Sequence, residues 1–403
     1  MRKRSLLLPA VGMSRPAYGR PDGDAELAEL VEILNRTYLR TREEGEQWLK
    51  RTPAEDLRVI RRSGRVAGSL LLLPWAQWFG GSSIPMTGVA AVGVDPEVRS
   101  SGMASSMMRS ALEEMHQAGV PLSALFPATQ PVYRRAGYEL SGTWSRFKLP
   151  VHSVDLRDRT LDIKRVDASA AKTIKALYDR RSRSASGHLD RPPKMWERLV
   201  SPEREEIHLY VASGSGGPEG YVAFTQRRDK EWRYDLVLQD FVALTAAAAR
   251  RLWTFFADHR SFSRDVLWVG HVADPVLLML REQQWEVTRM WTWMTRIVDV
   301  KSALEARGYP RGLEAELHLQ VADDVLPWND GRFVLEVSGG HGAVRKGGRG
   351  KLSVDVRGLA SMYTGFLTGA ETVAAGYASG SEAELSKASA VFAGPPPWLP
   401  DFF

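Results

Sequence analysis

The sequence predicts an α/β protein in which helices are layered on sheets. Three observations point there. Segments of helical periodicity alternate with strand-like runs along the whole chain. No internal repeat of roughly 20–50 residues is present, which argues against a solenoid. The 403 residues amount to two or three domains at about 150 residues each.

The elements follow in order. Residues 24–50 carry Leu27, Leu30, Val31, Leu34 and Tyr38 at helical spacing. Asp56 to Ile60, the Ser63-Gly64 turn signal and Val66 to Trp75 predict a hairpin, and Ile84 to Val94 a further strand. Gly102 to Ala118 predicts an amphipathic helix with Met103, Met107, Ala111 and Met115 on one face. Pro121 to Phe126 reads as a short strand, 129–137 as a helical turn ending at Gly137, and Tyr138 to Leu149 as a strand. After a linker near 150–163, helices are expected over 164–182, 192–200 and 246–259, and strands over 221–225, 235–244, 266–272 and 285–296. A helix at 303–307 leads into two strand-rich stretches, polar Gly/Lys/Arg loops and a last helical segment. Domains are therefore expected over 1–150, 151–299 and 300–403.

Composition excludes several classes. There is no Cys, which removes disulfides, Cys-ligated metal and a cysteine nucleophile, and is compatible with a cytoplasmic location. Lys+Arg minus Asp+Glu is 54 − 48 = +6, too small a surplus at this length to argue for nucleic acid. No apolar run approaches the roughly 18 residues of a membrane span. The opening MRKRSLLLPAVGM imitates a signal peptide, but its apolar part is short and contains Pro9, so it reads as an N-terminal extension. The eight histidines show no metal-binding spacing, and no metal is expected. Met290 to Met294 alternates as a packed strand, and the tracts at Arg180–Arg183 and Arg345–Lys351 read as solvated loops. The tail FAGPPPWLPDFF is unlike an ordinary polar terminus, and should be docked through Trp398, Leu399 and Phe402.

The most informative stretch is Val92-Gly93-Val94-Asp-Pro-Glu-Val-Arg99-Ser100-Ser101-Gly102-Met103-Ala104. A strand ends and a helix begins. The first N–H groups of a helix have no internal partner and its dipole favours an anion there. Gly102 permits close approach and Arg99 supplies charge. Further on come Tyr133-Arg-Arg-Ala-Gly137-Tyr138.

The first pattern resembles the pyrophosphate-binding motif of GCN5-related N-acetyltransferases, and the second resembles their Tyr-x-x-x-Gly-Tyr signature. Length, Leu189-Asp-Arg191, Asp240-Phe-Val-Ala-Leu-Thr245, Leu326-Pro-Trp-Asn-Asp-Gly331 and a terminal Phe are similar to the Enhanced intracellular survival (Eis) family. That resemblance implies two tandem acetyltransferase-like domains, the second degenerate, and a sterol-carrier-like third, whose fold does not itself establish lipid binding. It implies acetyl-CoA as cosubstrate, held at Val92, Gly93, Val94, Arg99, Ser100, Ser101, Gly102, Met103, Ala104 and Ser105, with Ala128 and Thr129 nearby. It implies Tyr133 as general acid and the terminal carboxylate of Phe403 as general base in direct acetyl transfer to an amine. It also implies a homohexamer. Aminoglycosides, and with them antibiotic resistance, are one acceptor class. Peptide lysine, polyamines and natural-product amines are others, because Phe402 stands where aminoglycoside-acetylating members have a carboxylate. A non-catalytic lipid-binding or scaffold protein on the same fold is the alternative from another class.

Overall fold

In the computed structural model, residues 16–200, 206–228 and 232–403 are described, and the N-terminal extension lies outside them. The chain forms two compact units, one of residues up to Leu73 with Val89–Leu112, the other of Pro74–Gly88 with Glu113–Phe403.

The first unit takes β1 (Ala17–Gly19), α1 (Gly23–Tyr38), α2 (Arg42–Arg51), β2 (Leu57–Arg62) and parts of β3 (Arg65–Phe79), β4 (Ser82–Val94) and α3 (Met103–Gln117). β1, β2 and β3 pair antiparallel in that order. The single helix expected over 24–50 is two helices. Leu39 adopts a left-handed conformation (φ 53°) that ends α1, and Thr41 with Glu44 closes a capping box that starts α2. Leu30, Val31, Ile33 and Leu34 on α1 pack with Leu57, Val59, Val66 and Leu71 of the hairpin.

The second unit continues with β5 (Leu122–Leu125), α4 (Gln130–Arg134), β6 (Glu139–Pro150), β7 (Asp162–Val166), α5 (Ala171–Arg183), β8 (Leu189–Asp190), α6 (Pro193–Val200), β9 (His208–Gly214), β10 (Gly217–Arg228), β11 (Tyr234–Ala243), α7 (Ala246–Asp258), β12 (Ser263–Gly270) and β13 (Glu286–Ile297). From β4 its large sheet runs in the order β5, β13, β6, β12, β11, β10, β9, β7. β13 thus lies between β5 and β6, antiparallel to both. Then come α8 (Val300–Ala306), β14 (Ala315–Ala322), β15 (Gly331–Ser338), β16 (His341–Lys346), β17 (Leu352–Asp355), α9 (Val356–Thr364), α10 (Gly369–Ala374), β18 (Ala378–Gly380) and α11 (Glu382–Val391). The second sheet has the order β16, β15, β14, β17, β18.

Four local expectations are corrected. Residues 164–166 belong to a strand, and the helix begins only at Ala171. Arg180–Arg183 closes α5, where cations suit the helix C-terminus. Arg345 and Lys346 lie on β16, paired with β15, rather than in a loop. The Met290–Met294 alternation is broken by a bulge between Trp293 and Met294. Both of those residues are buried, whereas Trp291 remains exposed.

The two sheets of the second unit share one core. Phe79, Met86, Leu122 and Trp293 cluster with Leu317, Leu335 and Tyr363. The Leu326–Gly331 turn fastens this contact. Asn329 is buried, its amide donates to Ile297 O at 3.3 Å, Val298 O at 3.2 Å and Asp323 Oδ2 at 3.0 Å, and its Oδ1 accepts from Val300 N at 2.9 Å. Trp328 stacks on His116 at 3.9 Å. Arg296 donates to both oxygens of Asp323, at 2.9 and 2.7 Å, with both side chains fully buried. Asp323 also accepts from Val325 N and Leu326 N. Removing one member of such a pair leaves the other charge uncompensated. Asp323→Ala is therefore expected to cost about 3–5 kcal/mol, seen as a lowered midpoint in urea unfolding.

Candidate active site

Within the first unit, the end of β4 leads through a turn into the start of α3. Ala91 has φ 48°, a left-handed residue inside a strand that bends the chain just before Val92, Gly93 and Val94. Gly93 is tightly packed, since a Cβ would lie 3.1 Å from Ile33 Cγ2 and 3.2 Å from Leu34 Cδ2, and these side chains would have to give way by a few tenths of an ångström. Tyr38 donates its hydroxyl to Val92 O at 3.2 Å. A short turn follows, with Asp95 accepting from Glu97 N and from Arg36. Ser100 and Gly102 are both left-handed, at φ 64° and 83°. Ser101 Oγ donates to Val98 O at 2.6 Å, and Ser106 N to Gly102 O closes the first helical bond. Arg99 through Gly102 are exposed, Ala104 and Ser105 half-buried, and the Met103 side chain is buried. Small residues, alternating backbone conformation and free helix-start N–H groups make an anion cradle.

Within the second unit, the chain leaving β5 meets the chain terminus. Phe126 follows β5, and exposed Ala128 and Thr129 lead into α4. Tyr133 on α4 is buried, with its ring 6.2 Å from Tyr138. Gly137 ends the turn at φ 83°, and a Cβ there would lie 2.7 Å from Arg296 Cζ. Only glycine fits both demands. Tyr138 is a core residue bonded to Ser123 Oγ at 2.7 Å, and burial raises its pKa.

The tail is docked. Thr143 N donates to Pro397 O at 3.2 Å, Trp398 N to Ser186 O at 3.1 Å and Leu399 N to Thr143 O at 3.0 Å. Leu399 is fully buried, but Phe402 is 52% exposed and is not the anchor the sequence suggested. The anchor is Asp401. Arg191 Nε donates to its two oxygens at 3.0 and 3.1 Å, and Arg191 Nη1 donates to Asp240. Tyr221 donates to Asp240 at 2.6 Å, and Tyr178 to Asp401 at 3.4 Å. The Arg191 guanidinium lies 4.0 Å from the Tyr178 ring centroid. Burial works against the Arg191 charge, yet Asp240 and Asp401 hold its pKa well above the ordinary value. Burial pushes the Asp401 carboxyl up, with Arg191 opposing. Two residues on, the Phe403 ring sits edge-on to Trp75 at 5.1 Å and to Phe126 at 5.6 Å.

Residues 20–141 and 187–297 each match an acetyltransferase (GNAT) domain, and 300–400 a sterol carrier protein domain. A Streptomyces avermitilis protein described as an uncharacterized N-acetyltransferase is 30% identical over 358 residues, covering 80% of this chain and 83% of its own. The N-acetyltransferase Eis of Mycobacterium tuberculosis is 26% identical over 308 residues, covering 70% and 71%. A GCN5-related N-acetyltransferase from Anabaena variabilis is 38% identical, with a TM-score of 0.91 over 96% of this chain and 100% of that one. The chain belongs to the Eis-like GCN5-related N-acetyltransferases. It is an acetyltransferase, and its acetyltransferase domains imply use of acetyl-CoA.

Residues Arg99–Ser105, which the sequence resemblance assigns to the donor pyrophosphate, form the turn from β4 into α3. A Cβ at Gly102 would meet nothing within 4 Å, so glycine is required there by its positive φ. In the second unit, Phe403 packs on Phe126 in the chain leaving β5, and Ala128, Thr129 and Tyr133 follow Phe126 in sequence. The sequence reading missed the network around Arg191. Its signals were present, since Leu189-Asp-Arg191 and Asp240 had both been noted, without a reason to join them to Asp401. It also missed Phe126, Trp144 and Trp291, which pack with Phe402 at centroid distances of 4.4, 6.0 and 4.6 Å. Among the described residues, no three His, Asp or Glu converge as a metal site, and no helix is long and apolar enough to cross a membrane.

Asp401→Asn weakens the hold of Arg191 on the tail. Carboxypeptidase release of Phe403, followed by mass spectrometry, is expected to accelerate by roughly ten-fold, the equivalent of one charge-assisted hydrogen bond.

Proposed function

We propose that this acetyltransferase moves the acetyl group of acetyl-CoA directly to a primary amine, with the Phe403 carboxylate as general base and Tyr133 as general acid. The observation that carries the reading is the docked tail. A terminus fixed by a buried ion network, with its last ring held between Trp75 and Phe126, is built to present its carboxylate. Bound at the Val92–Val94 and Arg99–Ser105 stretches, acetyl-CoA supplies a thioester-activated acetyl group.

Each protein group then has one task. A terminal carboxylate, with a reference pKa of about 3.3–3.7, is ionised at neutral pH and accepts the proton the amine loses as its N–C bond forms. A tyrosine, with a reference pKa near 10, remains protonated and donates to the sulfur as the C–S bond breaks. In this reading the thioester oxygen accepts from backbone N–H groups of Val92–Val94, the stretch that follows the left-handed Ala91. The products are an N-acetyl amide and CoA thiol, and no covalent acyl-enzyme is required. Aminoglycosides, polyamines and peptide lysines form the first acceptor panel.

Thiol release is readily assayed, because the protein has no Cys of its own. Deleting Phe403 or making Tyr133→Phe is expected to lower kcat by roughly 10²–10⁴. A rate within a few-fold of the unmodified protein would remove that residue from the mechanism. Gly102→Ala is expected to raise the KM for acetyl-CoA by roughly ten-fold, because the left-handed conformation is strained for any other residue. An unchanged KM would move the donor away from α3.

A further inference from the structure

Beyond Phe402 the aromatic packing continues to a pair of arginines. Phe402 touches Trp291 at 4.6 Å, and Trp291 stacks on Trp144 at 5.4 Å. Trp144 and Trp291 are direct partners in the β6–β13 register, and so are Arg146 and Arg289. Residues two apart on a strand share a face. Arg146 lies over Trp144 at 5.2 Å, and Arg289 over Trp291 at 5.0 Å. Two like charges directly opposite on neighbouring strands repel. Among the described residues neither has a carboxylate partner. Arg227 nearby is taken up by Asp235 at 2.9 Å. Burial, then Arg289 and Arg227, pull the Arg146 pKa down.

An anion held between two such guanidiniums relieves their repulsion and gains charge-assisted hydrogen bonds. Guanidiniums stacked on indoles keep in-plane N–H donors for such an anion. The rings beside them are open to a ligand, Phe402 being 52% and Trp291 39% exposed. The one carboxylate side chain in the last three residues, Asp401, is turned away to Arg191. A polycation would therefore meet a cationic wall here.

We infer that the acceptor is a primary amine with a flat apolar body and an anionic group at its far end. The body lies against Phe402 and Trp291, and the carboxylate or phosphate is bound between Arg146 and Arg289. This inference rests on the reading of the terminal carboxylate as the base that meets the amine. Arg146 and Arg289 are specificity groups and take no part in proton transfer.

The test compares 4-(2-aminoethyl)benzoate and 4-(2-aminoethyl)phenyl phosphate with the neutral 4-(2-aminoethyl)benzamide and with kanamycin. Calorimetry on CoA-saturated, untagged protein reads binding, and thiol release reads turnover. At least one anionic amine is expected to bind and turn over better than the benzamide by roughly ten-fold, the size of one charge-assisted contact. The better of the two says whether carboxylate or phosphate is the natural group. Arg289→Met should bring the ratio of anionic to neutral ligand close to one, and Arg146→Met should do the same. Equal binding of the benzamide, preference for kanamycin, a ratio that survives Arg289→Met, or no acetylation of either anionic amine overturns the inference. Turnover of the benzoate that persists after deletion of Phe403 defeats the base assignment and leaves the acceptor class standing.

Discussion

The placement of the chain terminus depends on one guanidinium. Arg191 stands between Asp240, on the strand β11, and Asp401, two residues from the end. Three charged groups with a net charge of −1 are buried together, and burial of that kind is costly unless the geometry is satisfied throughout. Here it is satisfied. Tyr178 and Tyr221 donate into the carboxylates, and Trp196 donates to Arg191 O at 3.2 Å. Such a network contributes direction more than net stability. Apolar residues alone would let the tail slide along the surface, whereas a two-point carboxylate contact sets where the last two residues leave. The second acetyltransferase domain, which carries Arg191 and Asp240, thereby acquires a role in positioning the end of the chain.

Packing explains why the tail cannot be understood from its own composition. Leu399 is in the shared core, and Phe403 packs against its edge. Phe402 points to the open side, onto Trp291 and Phe126. Both phenylalanines meet Phe126, but Phe403 also packs on Trp75 whereas Phe402 packs on Trp291 and stays more than half exposed. The sterol-carrier-like domain enters the same core through the Asn329 and Asp323 contacts, so its fold is legible as support for β13 without any lipid.

Much of this was legible in the sequence. The periodicity of the α3 segment and the turn chemistry of the hairpin located their elements closely, because local rules decide both. The turn into α3 and the turn after α4 were legible because each has a glycine at positive φ, Gly102 and Gly137. Long-range pairings were not. Nothing local distinguishes Trp291, which packs on Phe402, from Trp293 in the core, since residues two apart on a strand share a face and only their distant neighbours differ. Nor does residue spacing reveal that Arg191, Asp240 and Asp401 meet, over sequence separations of 49 and 210.

The insertion of β13 between β5 and β6 also governs the order in which the protein can be made. Pro150 ends β6 and Glu286 begins β13. Until that later strand leaves the ribosome, β5 and β6 each present an unpaired backbone edge, and such edges invite pairing with other chains. At about 5–20 residues per second the interval is on the order of 7–27 s. During that time the nascent first domain holds an incomplete sheet, so the burden of avoiding aggregation falls on chaperones and on the pace of translation rather than on the finished fold.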